Sequence, residues 1–191
     1  MTKVGLFGGS FDPPHLGHLI VAQEVLSTLN LDRILFIPAH LPPHKRCDVP
    51  SSQRYEMIGI AISGNPRFEI SDMELKRGGT SYTVDTLREL CSVFREVEFY
   101  LIIGADEFAE IESWKDPEAV MGLSRVVVMI RPGHEPGRAG QKFRGRFLTA
   151  EVPLIDISST QIRERVKQDK SIAYLVPAGV EAYIKEKGLY R

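Results

Sequence analysis

Two patterns of apolar positions alternate along this chain. Short continuous runs such as residues 4–7 predict buried strands, whereas apolar residues that recur at helical spacing over residues 19–29 predict an amphipathic helix. Strands that alternate with helices are typical of βαβ units and a parallel sheet. We therefore expect an α/β fold with a Rossmann-like, doubly wound parallel sheet. Further strands are predicted at residues 33–37, 68–70, 99–103, 126–130 and 152–157.

Turn and capping residues predict where helices begin and which segments lack regular structure. A proline-rich loop is expected at residues 42–50, and a mobile surface loop rich in glycine, arginine and lysine at residues 133–146. The last helices give the chain a helical C-terminal end. Helix starts are predicted at Ser52, near Ser81 or Tyr82, at the Ser-x-x-Gln capping box of residues 158–161, and at Pro177 for a helix that ends at Gly188.

Composition and charge narrow the class of protein. Of the 191 residues, 43% are hydrophobic and 26% are charged, and Lys+Arg 24 against Asp+Glu 25 gives a net charge of −1. This balance is ordinary for a globular protein. Since it provides no general field for a polyanion, we expect no nucleic-acid partner, and any phosphate must be held by local groups. The length favours a single domain over residues 1–191.

The cysteines and the apolar runs indicate the cellular compartment in which the protein is expected. Cys47 and Cys91 have no Cys-x-x-Cys spacing, which excludes a disulfide framework. No apolar run approaches about 18 residues, and the first three residues lead directly into the first strand without room for a signal peptide. We expect a cytoplasmic protein with no membrane partner, as a monomer or a small homo-oligomer.

Residues 8–18 place a glycine turn and two histidines between the first strand and the first helix. The start of a helix presents unpaired N–H groups and the positive end of the helix dipole, which suit a phosphate. His15 and His18 can donate hydrogen bonds to oxygens that gain negative charge in a transition state. The segment fits neither the dinucleotide-binding fingerprint nor the P-loop. Its candidate phosphate-binding residues besides the histidines are Gly8, Gly9, Ser10 and Phe11.

Other polar residues follow other predicted strands. In an open parallel sheet, ligands bind beyond the carboxyl ends of the strands, so residues in these places are expected to meet at one edge. Arginine at the start of a late helix can also bind phosphate oxygens with two parallel hydrogen bonds. The candidates are His44 and Lys45 after the second strand, Gly104 and Asp106 after the fourth, and Ser159 and Arg163 after the last.

Two of these segments resemble signatures of the nucleotidyltransferase superfamily. Residues 8–18 are similar to its (G)-G-T/S-F-D-P-x-H-x-G-H motif, and residues 157–163 to its I-S-x-T-x-I-R motif, in the same order. The resemblance implies a nucleotidyltransferase fold, in which His15 and His18 contact the phosphates of a nucleoside triphosphate. It also implies that Ser159 and Arg163 hold the phosphates that leave as pyrophosphate.

The middle and the end of the chain resemble the bacterial nicotinate mononucleotide adenylyltransferases. The similar segments are residues 42–45, 81–87, 104–106, Trp114 and residues 174–190. This resemblance implies transfer of AMP from ATP to nicotinate mononucleotide, with release of pyrophosphate, in NAD biosynthesis. Mg²⁺ is expected to accompany ATP, without a metal ligand from the protein. The implied roles are nucleotide binding for Gly104 and Asp106, and contact with the pyridine ring for Trp114 and with its carboxylate for Thr86. His44 and Lys45 are expected to bind nicotinate mononucleotide, with Lys45 as the candidate for its phosphate.

Several alternatives stay open at the level of sequence. Trp114 can be plain packing, Thr86 a satisfied core hydroxyl, and Asp106 a helix cap. The acceptor can be nicotinamide mononucleotide; a pantetheine-phosphate acceptor is disfavoured because that family has Thr-x-Gly-His where this chain has His15-x-Gly-His18. A catalytically silent ATP sensor would share every phosphate contact. The histidines with Cys47 also permit a metal-binding module.

Overall fold

The computed structural model describes residues 1–130, 143 and 145–191, in which strands and helices alternate along the chain. The strands are β1 (Thr2–Gly9), β2 (Arg33–Pro38), β3 (Phe68–Ile70), β4 (Val97–Gly104), β5 (Arg125–Ile130) and β6 (Phe147–Glu151). The α-helices are α1 (Leu16–Thr28), α2 (Ser51–Ile62), α3 (Met73–Arg77), α4 (Thr83–Val93), α5 (Ala105–Ala109), α6 (Pro117–Leu123), α7 (Ser159–Lys167) and α8 (Ala178–Lys187). A short 3₁₀ turn, Ile111–Ser113, follows α5.

All six strands are parallel, and their order in the sheet is β3-β2-β1-β4-β5-β6. The chain starts centrally at β1, moves outward to β3, and then returns to β4 on the other side of β1. The strand order therefore reverses between β1 and β4, where Leu6 lies opposite Leu101. Ligands of such sheets bind beyond the carboxyl ends of the strands at this reversal. The predicted doubly wound parallel sheet is confirmed.

Apolar side chains cover both faces of the central strands. Along β1, Val4 and Leu6 face one core cluster and Phe7 faces the other, because successive side chains of a strand point to opposite faces. Helices α4 and α6 complete the first cluster, and α1 and α2 complete the second. Burial on both faces explains why these strands stand out in the sequence as continuous apolar runs.

The last two helices pack on α2 instead of on the sheet. Ile162 of α7 and Val180 of α8 share an apolar cluster with Met57 of α2. Helix α8 ends at Gly188, whose backbone is left-handed (φ 61°), as the sequence predicts. Tyr190 lies in the same cluster and bonds to the loop between β1 and α1. The helical C-terminal end thus supports the segment that contains the two histidines.

The predicted bounds of the last strand and the predicted cap of α2 are wrong. The last strand is Phe147–Glu151 instead of residues 152–157, because the Val152 N–H donates the last bond to β5 and Pro153 has no N–H to continue the ladder. Ser52 does not cap α2, which begins one residue earlier at Ser51 after Pro50.

The predicted surface loop at residues 133–146 lies largely outside the described residues. Phe143, which falls within it, is buried in the first core cluster against Phe108, with the two ring centroids 6.5 Å apart. For this residue the predicted surface position is wrong. In the part of the chain that the structure describes, no helix is both long and apolar enough to span a membrane.

Candidate active site

Residues 8–15, here called the glycine-histidine loop, connect β1 to α1 at the point where the strand order reverses. His15 is the N-cap of α1 and His18 is its third residue, so the predicted location of both histidines at the helix start is confirmed. The N–H of Leu16 is bonded to the carbonyl of Leu175 at 2.9 Å. The first turn of α1, which contains His18 and follows His15, is therefore anchored by this bond.

The two histidine rings are stacked on each other. Their centroids are 3.6 Å apart with an interplanar angle of 22°. The ring of His18 also meets the edges of Phe7 and Phe11, at 6.1 Å and 5.0 Å between centroids. Apolar rings on one side and the second histidine on the other hold His18 in one orientation.

Both histidines are neutral near pH 7. Burial lowers the pKa of His15 to about 4, and burial together with the neighbouring His15 lowers the pKa of His18 well below its ordinary value. The backbone N–H of His15 donates to Nδ1 of His18 at 3.2 Å. A ring nitrogen that accepts a hydrogen bond carries no proton, so the neutral ring of His18 carries its proton on Nε2. His18 is thereby prepared as a hydrogen-bond donor.

Two glycines make room for this arrangement. A Cβ on Gly17 would lie 3.0 Å from Nδ1 of His15, and a Cβ on Gly9 would lie 3.1 Å from the ring of Phe11. Phe11 is buried, has a left-handed backbone (φ 49°), and packs the edge of its ring against His18. Gly8 is exposed, with nothing within 4 Å of an added Cβ. The backbone of β1 can therefore be approached closely at Gly8.

The turn that precedes His15 is fixed by buried polar contacts. Asp12 accepts hydrogen bonds from the hydroxyl of Tyr190 at 2.9 Å and from the N–H of Asp48 at 2.6 Å. Burial and the adjacent Asp12 carboxylate raise the pKa of Tyr190, so this hydroxyl stays protonated. At the start of α7, Ser159 donates to the carbonyl of Pro13 at 2.8 Å, and Arg163 donates to the carbonyl of Asp12 at 2.9 Å.

These contacts add to what was predicted for Ser159 and Arg163. Both side chains lie beside the glycine-histidine loop, as the prediction of a shared phosphate site requires, and both also bond to its backbone. Arg163 has a further contact, with 3.5 Å between its Nε and Oδ2 of Asp48. A guanidinium has five N–H groups, so these bonds leave donors for a phosphate.

A buried arginine in α2 was not predicted. Arg54 is 1% exposed and donates to the carbonyls of Ser10, Ala39, His40 and Val49. A signal was present in the sequence, because helical spacing places Arg54 on the same face as the buried Met57 and Ile58. A charged residue on an apolar helix face is informative because burial requires partners.

The loop that follows β2, residues 41–50, is here called the proline loop, and it lines a cleft together with Arg54. His44 and Lys45 are exposed in this loop. The loop is anchored just before its start, since the N–H of His40 donates to Oγ of Ser81 at 2.9 Å. Nδ1 of the same His40 lies 3.1 Å from Oγ of Ser51.

Thr86 lies in the first part of α4 and is buried. Its hydroxyl donates to Glu74 at 2.5 Å and accepts from Arg77 at 2.8 Å. The hydroxyl thus has partners in α3 on both its donor and its acceptor sides.

Trp114 follows the 3₁₀ turn and is half-buried against the first core cluster. The residues after it are tied to α4 by ion pairs. Lys115 lies 2.7 Å from Asp85 and also above the ring of Tyr82, and Arg88 lies 2.5 Å from Asp116.

Gly104 ends β4 and is the N-cap of α5, and Asp106 is exposed in the first turn of that helix. The side chain of Glu107, three residues after the cap, accepts the N–H of Gly104 at 3.2 Å. The alternative that Asp106 caps this helix is therefore not what the structure shows. Its carboxylate lies in solvent after a strand adjacent to β1.

The structure groups the predicted site residues by strand. The histidines, Ser159 and Arg163 are connected through the glycine-histidine loop, and Arg54 connects that loop to the proline loop that holds His44 and Lys45. Thr86 lies on α4 instead, and Gly104 ends β4, with Asp106 and Trp114 in the segment that follows it. In the described ranges, no group of three or more His, Cys, Asp or Glu residues is arranged to hold a metal ion.

Comparisons with known proteins agree with this geometry. A family model described as Cytidylyltransferase-like matches residues 6–165. A Thermus thermophilus protein named "Probable nicotinate-nucleotide adenylyltransferase" is 46% identical over 189 residues, covering 99% of this chain and 100% of that protein. A Geobacillus thermodenitrificans protein of the same name is 45% identical, covering 100% of this chain and 87% of that protein.

A solved structure has the same fold. The Plasmodium falciparum nicotinic acid mononucleotide adenylyltransferase complexed with NaAD superposes with a TM-score of 0.82 and 19% sequence identity, covering 100% of this chain and 98% of that one. At this level of identity the likeness concerns the fold alone.

Proposed function

This chain belongs to the cytidylyltransferase-like family, and we propose that it is a nicotinate-nucleotide adenylyltransferase of NAD biosynthesis. The reaction joins the 5′-phosphate of nicotinate mononucleotide to the α-phosphorus of ATP. The bond between the α- and β-phosphates breaks, and pyrophosphate leaves. Because the acceptor phosphate is itself the nucleophile, the protein has to position the two substrates and stabilise charge, without forming a covalent intermediate.

The observation that carries the nucleotidyl-transfer part of this proposal is the stacked histidine pair at the start of α1, whereas nicotinate as the acceptor is supported by the named relatives. Nε2–H of His18 is a fixed donor at the place in the sheet where a nucleotide phosphate is expected. His15 and His18 then bind oxygens of the α-phosphate as its charge increases. Gly8, Gly9, Ser10 and the backbone of Phe11 surround the triphosphate, and Arg163 and Ser159 hold the departing phosphates.

The acceptor lies between the proline loop and the Trp114 segment (residues 113–116). His44 and Lys45 bind its phosphate, which their exposure in the cleft allows, and Trp114 stacks on the pyridine ring. Thr86 stays a predicted contact for the carboxylate; its hydroxyl is held by Glu74 and Arg77, so this contact requires the exchange of one of those bonds. Gly104 and Asp106 bind the nucleotide of ATP.

The family indicates a metal-dependent reaction. We propose that the metal is Mg²⁺ and that it arrives as part of the substrate, coordinated by the triphosphate. Asp12 is the carboxylate within the glycine-histidine loop, and its two oxygens already accept bonds from Tyr190 and Asp48. An ion that keeps its water shell and binds substrate phosphates fits this arrangement. A single domain, a cytoplasmic location and an assembly no larger than a small homo-oligomer stay predictions.

The test is an assay of pyrophosphate release with ATP and one acceptor at a time, with the dinucleotide product identified by mass. We expect nicotinate mononucleotide to be the best acceptor, ahead of nicotinamide mononucleotide and pantetheine phosphate. Equal or faster turnover of the nicotinamide form would assign the protein to that acceptor instead. Binding of ATP without turnover of any acceptor would favour a sensor, and zinc retained at one ion per chain after dialysis would favour a metal-binding module.

A further inference from the structure

We infer that Arg54 is a positioning residue that fixes the glycine-histidine loop relative to the proline loop, and so aligns the two substrates for transfer. The inference rests on the proposed function, in which one loop binds ATP and the other binds the acceptor phosphate. In this arrangement of the substrates, Arg54 itself contacts neither ATP nor the acceptor.

The bonds of Arg54 reach both loops from one side chain. Its NH1 donates to the carbonyl of Ser10 at 2.6 Å, in the glycine-histidine loop. Its NH2 donates to the carbonyls of Ala39 at 2.7 Å and His40 at 3.0 Å, which lead into the proline loop. Its Nε donates to the carbonyl of Val49, at the end of that loop, at 3.3 Å. The guanidinium is therefore a common attachment point for the two segments.

Helix α2, which contains Arg54, is held firmly in the fold. Helix α2 contributes Ile58 to the core under the sheet and Met57 to the cluster of the C-terminal helices, and both are fully buried. The helix is held on two sides, so the guanidinium of Arg54 has a fixed position. Its hydrogen bonds then hold each loop in a fixed position relative to the helix. Flexible surface contacts would leave the distance between the loops free to vary.

The chemistry of the contacts requires arginine. A guanidinium is planar and presents five N–H groups in a rigid fork, so it can bond to carbonyls that lie in different directions. Lysine keeps the positive charge but presents its three N–H groups from a single atom. Arg54→Lys therefore retains the buried charge and loses the simultaneous contacts with Ser10, Ala39 and Val49.

A shift between the two loops should affect the alignment of the two substrates and not the binding of either one. In-line transfer requires the acceptor phosphate to meet the α-phosphorus closely, and a displacement of about 1 Å can lower the rate by about 100-fold. Each substrate still binds through its own loop when the loops shift relative to each other. We therefore expect Arg54→Lys to lower kcat by about 100-fold while the KM values for ATP and nicotinate mononucleotide change by less than about threefold.

The experiment compares wild type, Arg54→Lys, Arg54→Ala and the control Arg67→Lys. Arg67 also donates to a carbonyl, that of Leu31 at 3.5 Å, but it lies before β3, away from the carboxyl ends of the strands. Far-UV circular dichroism and thermal unfolding establish that each variant is folded. Steady-state kinetics then give kcat and both KM values, and guanidinium chloride at millimolar concentration is added to Arg54→Ala, with methylammonium as the comparison.

The inference is supported if folded Arg54→Lys loses kcat with both KM values retained, Arg67→Lys behaves as wild type, and guanidinium but not methylammonium raises the rate of Arg54→Ala. It is overturned if folded Arg54→Lys has wild-type kcat, or if one KM rises with kcat unchanged, which would make Arg54 a substrate contact. If Arg54→Ala does not fold, the kinetics of Arg54→Lys decide. An inactive wild type would refute the proposed function, whereas an active wild type matched by Arg54→Lys would refute only this inference.

Discussion

The glycine-histidine loop and the Trp114 segment follow neighbouring strands of the sheet but are held by contacts of different kinds. The first is fixed by buried groups: Arg54 bonds to the carbonyl of Ser10, and Asp12 bonds to Tyr190. The second is fixed by exposed ion pairs to α4, with Lys115 on Asp85 and Arg88 on Asp116. Buried hydrogen bonds to charged groups are costly to break, whereas exposed ion pairs contribute little.

The difference suits the two proposed tasks of the site, which are to stabilise charge on the phosphate and to select the acceptor. In the proposed function the glycine-histidine loop stabilises charge on the phosphate, and its buried contacts hold the donor of His18 in a fixed position. The Trp114 segment, which we propose contacts the acceptor, is tied to α4 by exposed ion pairs, which are weak. Changes on the first side should therefore have large effects on rate or stability, and changes on the second side small effects on the KM of one substrate.

The largest effect is expected for His18→Ala. Removing a prepared donor from the α-phosphate should lower kcat by about 100- to 1,000-fold, as for the loss of one oxyanion-hole donor. Folding should be retained, because His18 is half-buried in the first turn of α1 and is not among the buried residues of the core. The measurement is kcat by pyrophosphate release, with thermal unfolding as the folding control, and wild-type kcat in a folded variant would remove His18 from the mechanism.

The next effect concerns acid stability. His15 has a pKa of about 4 in the folded protein against 6.5 when unfolded, so the unfolded chain binds an additional proton between these values. The free energy of unfolding should therefore fall as the pH is lowered from 6.5 to 4, by about 3 kcal/mol from this group, since one pKa unit is worth about 1.4 kcal/mol. Urea unfolding at several pH values measures it. His15→Gln should reduce the slope, and an unchanged slope would contradict the assigned pKa.

A smaller effect is expected for Tyr190→Phe. The substitution removes the hydroxyl that donates to Asp12 and leaves one oxygen of a buried carboxylate without its partner, which should cost about 1–3 kcal/mol of stability. Urea unfolding checks this value. Tyr174→Phe is the matched control, since Tyr174 is 90% exposed. Equal stability of the two variants would show that the Asp12 contact does not support the glycine-histidine loop.

The smallest effect is expected on the acceptor side, for Asp85→Asn. Loss of the exposed Lys115 pair should raise the KM for nicotinate mononucleotide by about two- to fivefold, because such pairs contribute about 0.2–1 kcal/mol. The kcat and the KM for ATP should not change, and 0.5 M salt should reduce the difference. Glu181→Gln, which removes an exposed pair with Lys185 in α8, is the control. A rise in the KM for ATP instead would contradict the division between the two sides.

Features that depend on one local segment could be predicted from the sequence, whereas contacts between distant segments could not. The histidines belong to one local segment, and a helix start has its own sequence signals, so the positions of His15 and His18 were predictable. The contacts of Arg54 were not, because its partners are backbone carbonyls, which any residue supplies. The Asp12 and Tyr190 pair is separated by 178 positions, and no local pattern connects such residues.

At the edge of the sheet, the prediction of β6 was wrong because pairing with a neighbouring strand decides its position. Strand β6 has a buried residue at Ala150 but exposed neighbours at Leu148, Thr149 and Glu151, so it lacks the continuous apolar run of a central strand. The apolar run at residues 152–157 looked more like a strand, although Pro153 prevents it from continuing the ladder. Pairing with β5 decided the outcome, and pairing is not visible in a single segment.

We propose that the histidines act on the α-phosphate and do not choose the acceptor. The most direct test is the ratio of kcat/KM for nicotinate mononucleotide to kcat/KM for nicotinamide mononucleotide, in wild type, His18→Ala and Trp114→Ala. We expect His18→Ala to lower both values by about 100- to 1,000-fold and to leave the ratio unchanged, whereas Trp114→Ala should change the KM of the acceptor. A ratio that shifts by more than about tenfold in His18→Ala would contradict it.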